Sequence, residues 1–206
     1  MADVATSRSH SPAAPRTAQQ LQRLIDTLRA GKIVAIKGLG GFHLCCDARN
    51  HQAVELLRQR KHRYAKPFAL MSDDLDCIRL YCEVSALEEA QLTSVAAPIV
   101  LLASKAATTA LDATHIAPLS AAIAPGSHLL GFMLPYTPLH SLICRQFGGP
   151  LVMTSGNLSG EPQIIDNAEA IEKLASIADL IVCHDREIAN RIDDSVVRCV
   201  NGRARV

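Results

Sequence analysis

The sequence predicts an α/β fold with a largely open sheet, and three observations carry that reading. From residue 18 onward, short apolar runs of strand length alternate with amphipathic runs of helix length. Hydrophobic residues make up 49% of the chain and charged residues 20%, which suits a chain that buries a substantial core. Aromatic residues reach only 3%, with no Trp, so that core must be mostly aliphatic.

The opening MADVATSRSHSPAAPRT, residues 1–17, lacks hydrophobic periodicity and is expected to be a disordered tail. Residues 18–206 are expected to form the domain. A helix begins at Ala18, with Leu21, Leu24, Ile25 and Leu28 on one face and Gly31 as its stop. KIVAIKG reads as a buried strand broken by Gly38, Gly40 and Gly41. HQAVELLRQRKHR (51–63) is helical, with cations in its last turn, where the macrodipole favours them. PFALM (67–71) is a strand, SALEEAQLTS a helix and PIVLLA (98–103) a strand, followed by an irregular crossover over 104–128. GFML enters a strand, and TPLHSLICRQF (137–147) is a helix with Pro138 in its first turn. PLVMTSGN (150–157) runs from strand into loop, and 166–177 form a helix capped by Asp166 or Asn167. DLIVCHD and SVVRCV are the last strands.

Composition narrows the function. With 21 Lys+Arg against 20 Asp+Glu, the chain is not a basic surface for gripping nucleic acid, so an anion site must be local. The seven cysteines are scattered without a CxxC pair, which points to free thiols in a reducing cytoplasm and to no metal site. No apolar run approaches the roughly 18 residues that cross a bilayer, so no membrane partner is expected.

Four polar segments stand where α/β sheets place ligands. IKGLGGFH carries Lys37 and His43 beside three glycines, but neither the GK[ST] ending of a P-loop nor GxGxxG spacing. RQRKHRYAKPF gathers Arg58, Lys61, Arg63 and Lys66; it reads as a solvated helix end or as a polyphosphate clamp. TSGNLSGEP offers Ser155 and Asn157 as uncharged partners for phosphate or ribose, or is an ordinary turn. HDREIANRIDDSVVR holds Arg191, Ser195 and Arg198, with Asp193 or Asp194 to orient the arginines. No nucleophile–base arrangement stands out, so the inventory allows chemistry by electrostatic positioning.

Taken together, KGLGGFHLCCDA, LRQRKHRYAKPFALM, LGFMLPYTPLH, PLVMTSGNLSGEP and HDREIANRIDDSVVR resemble the YrdC-like domain of the HypF carbamoyltransferases. The likeness runs in order from about residue 18 to 202. It implies a YrdC-like open, twisted mixed sheet with helices packed on it and a basic concave cleft for ATP and Mg²⁺. It further implies that carbamate, derived from carbamoyl phosphate, is joined to ATP as carbamoyl adenylate with release of pyrophosphate. The downstream acceptor would be HypE, on the route to the cyanide ligands of [NiFe] hydrogenase, and the chain would be part of a longer HypF-type enzyme. On this resemblance Lys61 and Arg63 are expected to be catalytic contacts of the triphosphate. Arg58, Lys66, Arg191 and Arg198 would line the phosphates, Ser155, Asn157 and Ser195 would hold phosphate or adenylate, and Lys37 and His43 would face the carbamate. A threonylcarbamoyl-adenylate synthase of tRNA modification is the nearest alternative, and a module binding double-stranded RNA is the next.

Overall fold

The computed structural model of the chain describes residues 3–7, 14–105 and 117–206. Along them run β1 (Asp3–Ser7), α1 (Ala14–Arg29), β2 (Val34–Lys37), β3 (Phe42–Asp47), α2 (His51–Lys61) and β4 (Ala69–Met71). Then follow α3 (Leu75–Tyr81), α4 (Ala86–Leu92), β5 (Ile99–Ala103), a 3₁₀ turn at Ala121–Ile123, β6 (Leu129–Met133) and α5 (Pro138–Phe147). β7 (Leu151–Ser155), α6 (Asn167–Leu174), β8 (Leu180–His184), β9 (Val196–Val200) and β10 (Arg203–Arg205) complete the order. No helix among the described residues is long and apolar enough to cross a membrane.

The chain divides into two units, with β7 contributing residues to each. The first comprises Met1–Asp47, Gln52–Tyr64 and Met153–Asp193. Its strands run in the order β1-β8-β2-β3, parallel except where β3 returns antiparallel to β2. β2 is paired on both edges and buried along its whole length, on both faces. That explains an apolar VAI run without polar alternation. α1 lies against these strands through Leu24, Ile25 and Leu28, all closed to solvent. It stops at Gly31, whose φ of 72° is the left-handed geometry that glycine adopts without strain.

The second unit comprises Ala48–His51, Ala65–Val152 and Asp194–Val206. Its order is β7-β4-β6-β5-β9-β10, again mixed, with parallel β4–β6 and β5–β9 pairs. α4 packs beside β5, β9 and β10. Its start is fixed by a reciprocal box in which Ser85 Oγ accepts from Glu88 N and the Glu88 carboxylate accepts from Ser85 N. α5 begins at Pro138 under the Thr137 cap and ends at Gly148.

The α/β class and the mixed sheet follow the sequence reading, and five elements depart from it. Asp3–Ser7 is a strand where a tail is expected, because β8 offers it a parallel ladder. Likewise α1 begins at Ala14 rather than Ala18, and residues 8–13 of the expected tail lie outside the described residues. β3 follows the glycine turn directly and takes its ladder from β2. α3 has a local signal, the Asp74 side chain accepting from Cys77 N. β10 has one as well, the Asn201-Gly202 pair with both φ angles positive, a two-residue hairpin turn. Residues 106–116 of the expected crossover lie outside the described residues.

α2, the helix carrying the basic cluster, is held in the first unit by Asp179. One carboxylate oxygen accepts from Arg60 Nη1 at 3.2 Å, and the other accepts from Ile33 N at 2.9 Å. Asp179→Ala is expected to lower unfolding free energy by about 1–3 kcal/mol, the scale of hydrogen bonds to a charged group. Denaturant titration would measure it.

Candidate functional site

The first unit brings four loop regions together: the turn after β2, the end of α2, the segment after β7 and the segment after β8. The turn Gly38–Gly41 closes through Gly38 N donating to Gly41 O at 2.8 Å. Ile192 N donates to Gly40 O at 3.1 Å, and a Cβ on Gly40 would come within 2.5 Å of the Ile192 carbonyl. Phe42 O receives both Gly156 N at 2.5 Å and Gln163 Nε2 at 2.8 Å. Gln163 O in turn accepts from Arg191 Nε at 2.6 Å. One carbonyl of β3 and one glutamine therefore join three of the regions.

α2 supplies the fourth. His62, just past the helix, has a φ of 52° and reverses the chain. Arg58 and Arg63 clamp this reversal, with Arg63 N donating to Arg58 O and Arg58 Nη1 donating to Arg63 O at 2.6 Å. Lys61 is turned inward and is 1% exposed. Its Nζ donates to Ser155 O at 2.5 Å, Asn157 O at 2.7 Å and Asn157 Oδ1 at 2.6 Å. Asn157 Oδ1 also accepts from Ser155 Oγ at 2.8 Å, while Asn157 Nδ2 donates to Glu161 O. Burial and the neighbouring Arg63 push the Lys61 ammonium down to about 7. Three acceptors oppose that shift, because only the protonated amine has three hydrogens to give.

Of the expected site residues, Lys61, Ser155 and Asn157 meet directly. Arg58 and Arg63 stand at the same helix end, and Arg191 reaches the same cluster through Gln163. Lys37 is buried and donates from Nζ to His184 O at 3.2 Å, a carbonyl that also accepts from Asn167 Nδ2. His43 is buried in β3, and desolvation lowers its pKa to about 4. Lys66, Ser195 and Arg198 belong to the second unit and are exposed. There burial, reinforced by the neighbouring Asp194, raises the pKa of the Tyr136 phenol. Gln163 and the left-handed His62 were absent from the sequence reading. Gln163 carries no local motif, and His62 falls inside the helix expected over 51–63, which in the structure ends at Lys61. Among the described residues, no group of three His, Cys, Asp or Glu is arranged to hold a metal ion. A groove of about 420 Å³ along α1, lined by Gln22, Arg23 and Asp26 among others, contains none of these residues.

A fold of this type with a glycine turn, a basic helix end and a Ser-Gly-Asn turn has close counterparts among known proteins. The chain belongs to the Sua5/YciO/YrdC family, whose model, described as "Telomere recombination", matches residues 26–206. Its relatives include HypF carbamoyltransferases and threonylcarbamoyl-AMP synthases. It is 56% identical over 171 residues to the carbamoyltransferase HypF of Rhodobacter capsulatus, covering 83% of this chain and 22% of the relative. It is also 30% identical to the threonylcarbamoyl-AMP synthase of Stenotrophomonas maltophilia, covering 79% of this chain and 84% of that protein. A crystal structure of full-length HypF in a phosphate- and nucleotide-bound form matches with a TM-score of 0.83 at 46% identity, over 90% of this chain and 28% of that one. The chain thus spans under a third of the length of its HypF relatives.

Two outcomes follow from this geometry. A Cβ on Gly156 would lie 2.6 Å from the Phe42 carbonyl oxygen, and a backbone cannot yield as a side chain does. Gly156→Ala should therefore destabilise the chain by about 1–3 kcal/mol in denaturant titration. His43 binds its proton near pH 6.5 when unfolded but only near pH 4 when folded, so the unfolded chain holds more protons between those values. The stability His43 confers is present above pH 6.5 and is lost as pH falls toward 4, by roughly 3 kcal/mol in full. His43→Gln should flatten the decline between pH 6.5 and 5 in pH-stepped thermal unfolding.

Proposed function

We propose that this chain is the adenylating domain of a carbamoyltransferase, joining carbamate to ATP to give carbamoyl adenylate and pyrophosphate. The observation that carries the reading is the joining of a basic helix end to a Ser-Gly-Asn turn and a glycine turn within one unit. Greater identity to HypF than to the threonylcarbamoyl-AMP synthase favours carbamate as the substrate.

In this reading a carbamate oxygen attacks the α-phosphorus, forming a new P–O bond as the bond to pyrophosphate breaks. Carbamate is already an anion, so no side chain has to remove a proton. Catalysis is then positioning and charge neutralisation. Arg63 and Arg191 would neutralise the phosphates, with Arg58 holding the Arg63 carbonyl. Lys37 and His43 would face the carbamate end. His43, held neutral by burial, adds no charge there. Ser155 and Asn157 shape the turn that borders the phosphates, with Lys61 behind them. Magnesium would arrive as part of the nucleotide, since the described residues form no cluster of metal ligands of their own. Transfer onward to HypE would use the remainder of a longer protein, and free cysteines throughout agree with the cytoplasm as the setting.

A second reading, threonylcarbamoyl-adenylate synthesis, rests on the relative that this chain covers over most of its length. Pyrophosphate release should be measured with ATP and either carbamate or threonine plus bicarbonate. Carbamate-dependent release is expected. Release only with threonine and bicarbonate would replace the first reading with the second, and release with neither would remove both. Arg63→Ala should slow the carbamate reaction about 100-fold, the scale of losing one preorganised electrostatic group.

A further inference from the structure

Lys61 has an environment unlike that of a residue waiting for an anion. Its three oxygens lie at 2.5–2.7 Å, and solvent is excluded. Two are main-chain carbonyls and the third is an amide oxygen; none carries formal charge. A buried charge is tolerated only where hydrogen bonds replace its hydration. Neutral backbone oxygens also take the place of water around a bare potassium ion, in larger number. Ammonium and potassium share charge and have similar size, so one cradle can serve either.

The cradle is integral to the turn. Asn157 Oδ1 is shared between Lys61 Nζ and Ser155 Oγ, and the same amide reaches Glu161 O through Nδ2. Carbonyls of Ser155 and Asn157 would otherwise point their negative ends together. A cation between them removes that repulsion and fixes the turn's shape.

We propose that Ser155 O, Asn157 O and Asn157 Oδ1 form a monovalent-cation site whose resident cation is the chain's own Lys61 ammonium. Lys61 is then a positioning residue for the Ser155–Asn157 turn and not a direct phosphate contact. The site stands apart from the adenylation reading, because its occupancy is measured without nucleotide.

The test is thermal unfolding of the full chain in choline, potassium, ammonium and methylammonium chlorides at constant ionic strength. Lys61→Ala is expected to melt below wild type in choline. It should regain roughly 3–5 °C, saturably, as potassium or ammonium exceeds its Kd tenfold. Wild type should melt alike in all four salts. Lys61→Met, whose apolar stem fills the space, should gain nothing. Equal melting of Lys61→Ala in every salt, or an equal response from wild type, would overturn the proposal. Should Lys61→Ala fail to fold, wild type decides by acetylation with acetic anhydride and peptide mapping. Lys61 should stay unmodified while exposed Lys32 and Lys66 react. Acetylation of Lys61 at their rate would overturn the assignment.

Discussion

The first unit depends on one buried positive charge. Lys61 leaves the end of α2, enters the protein and ends on three oxygens of the segment after β7. Without it, two carbonyl dipoles and an amide oxygen would face one another in a region closed to water. With it, a helix end and a turn distant in sequence are fixed relative to each other. The Arg58–Arg63 clamp and the left-handed His62 serve the same end, since the chain must reverse where Lys61 turns inward.

Around that charge the backbone carries most of the organisation. Phe42 O takes two donors from separate stretches, and Gln163 links one of them to Arg191. Glycine at 40 and 156 lets these segments cross at separations a side chain would forbid. A site built in this manner offers fixed dipoles and cations in place of a nucleophile. That suits a reaction in which charge moves between phosphates and no proton has to be removed.

Family membership and electrostatics bear on different questions here. The family match covers nearly the whole described chain, while HypF relatives are several times longer. The HypF relatives extend well beyond the stretch that aligns with this chain. The chemistry argued for this chain accordingly stays with its own arginines, lysines and turns.

Much of the fold was legible from local signals. The apolar stripe of α1, the buried VAI run of β2, and the caps of α4, α5 and α6 all report contacts made within a few residues. Strands β1 and β3 were not legible, because their ladders come from partners elsewhere in the chain. The same division holds for the site. Sequence alone placed Lys61, Arg63, Ser155 and Asn157 in basic and polar segments and tied them to a family. Only the tertiary structure decided that Lys61 faces inward onto the other turn, and that Lys66, Ser195 and Arg198 belong to a different unit. The reason is physical: charge and residue type are properties of a position, whereas the direction of a side chain is set by what other segments bring against it.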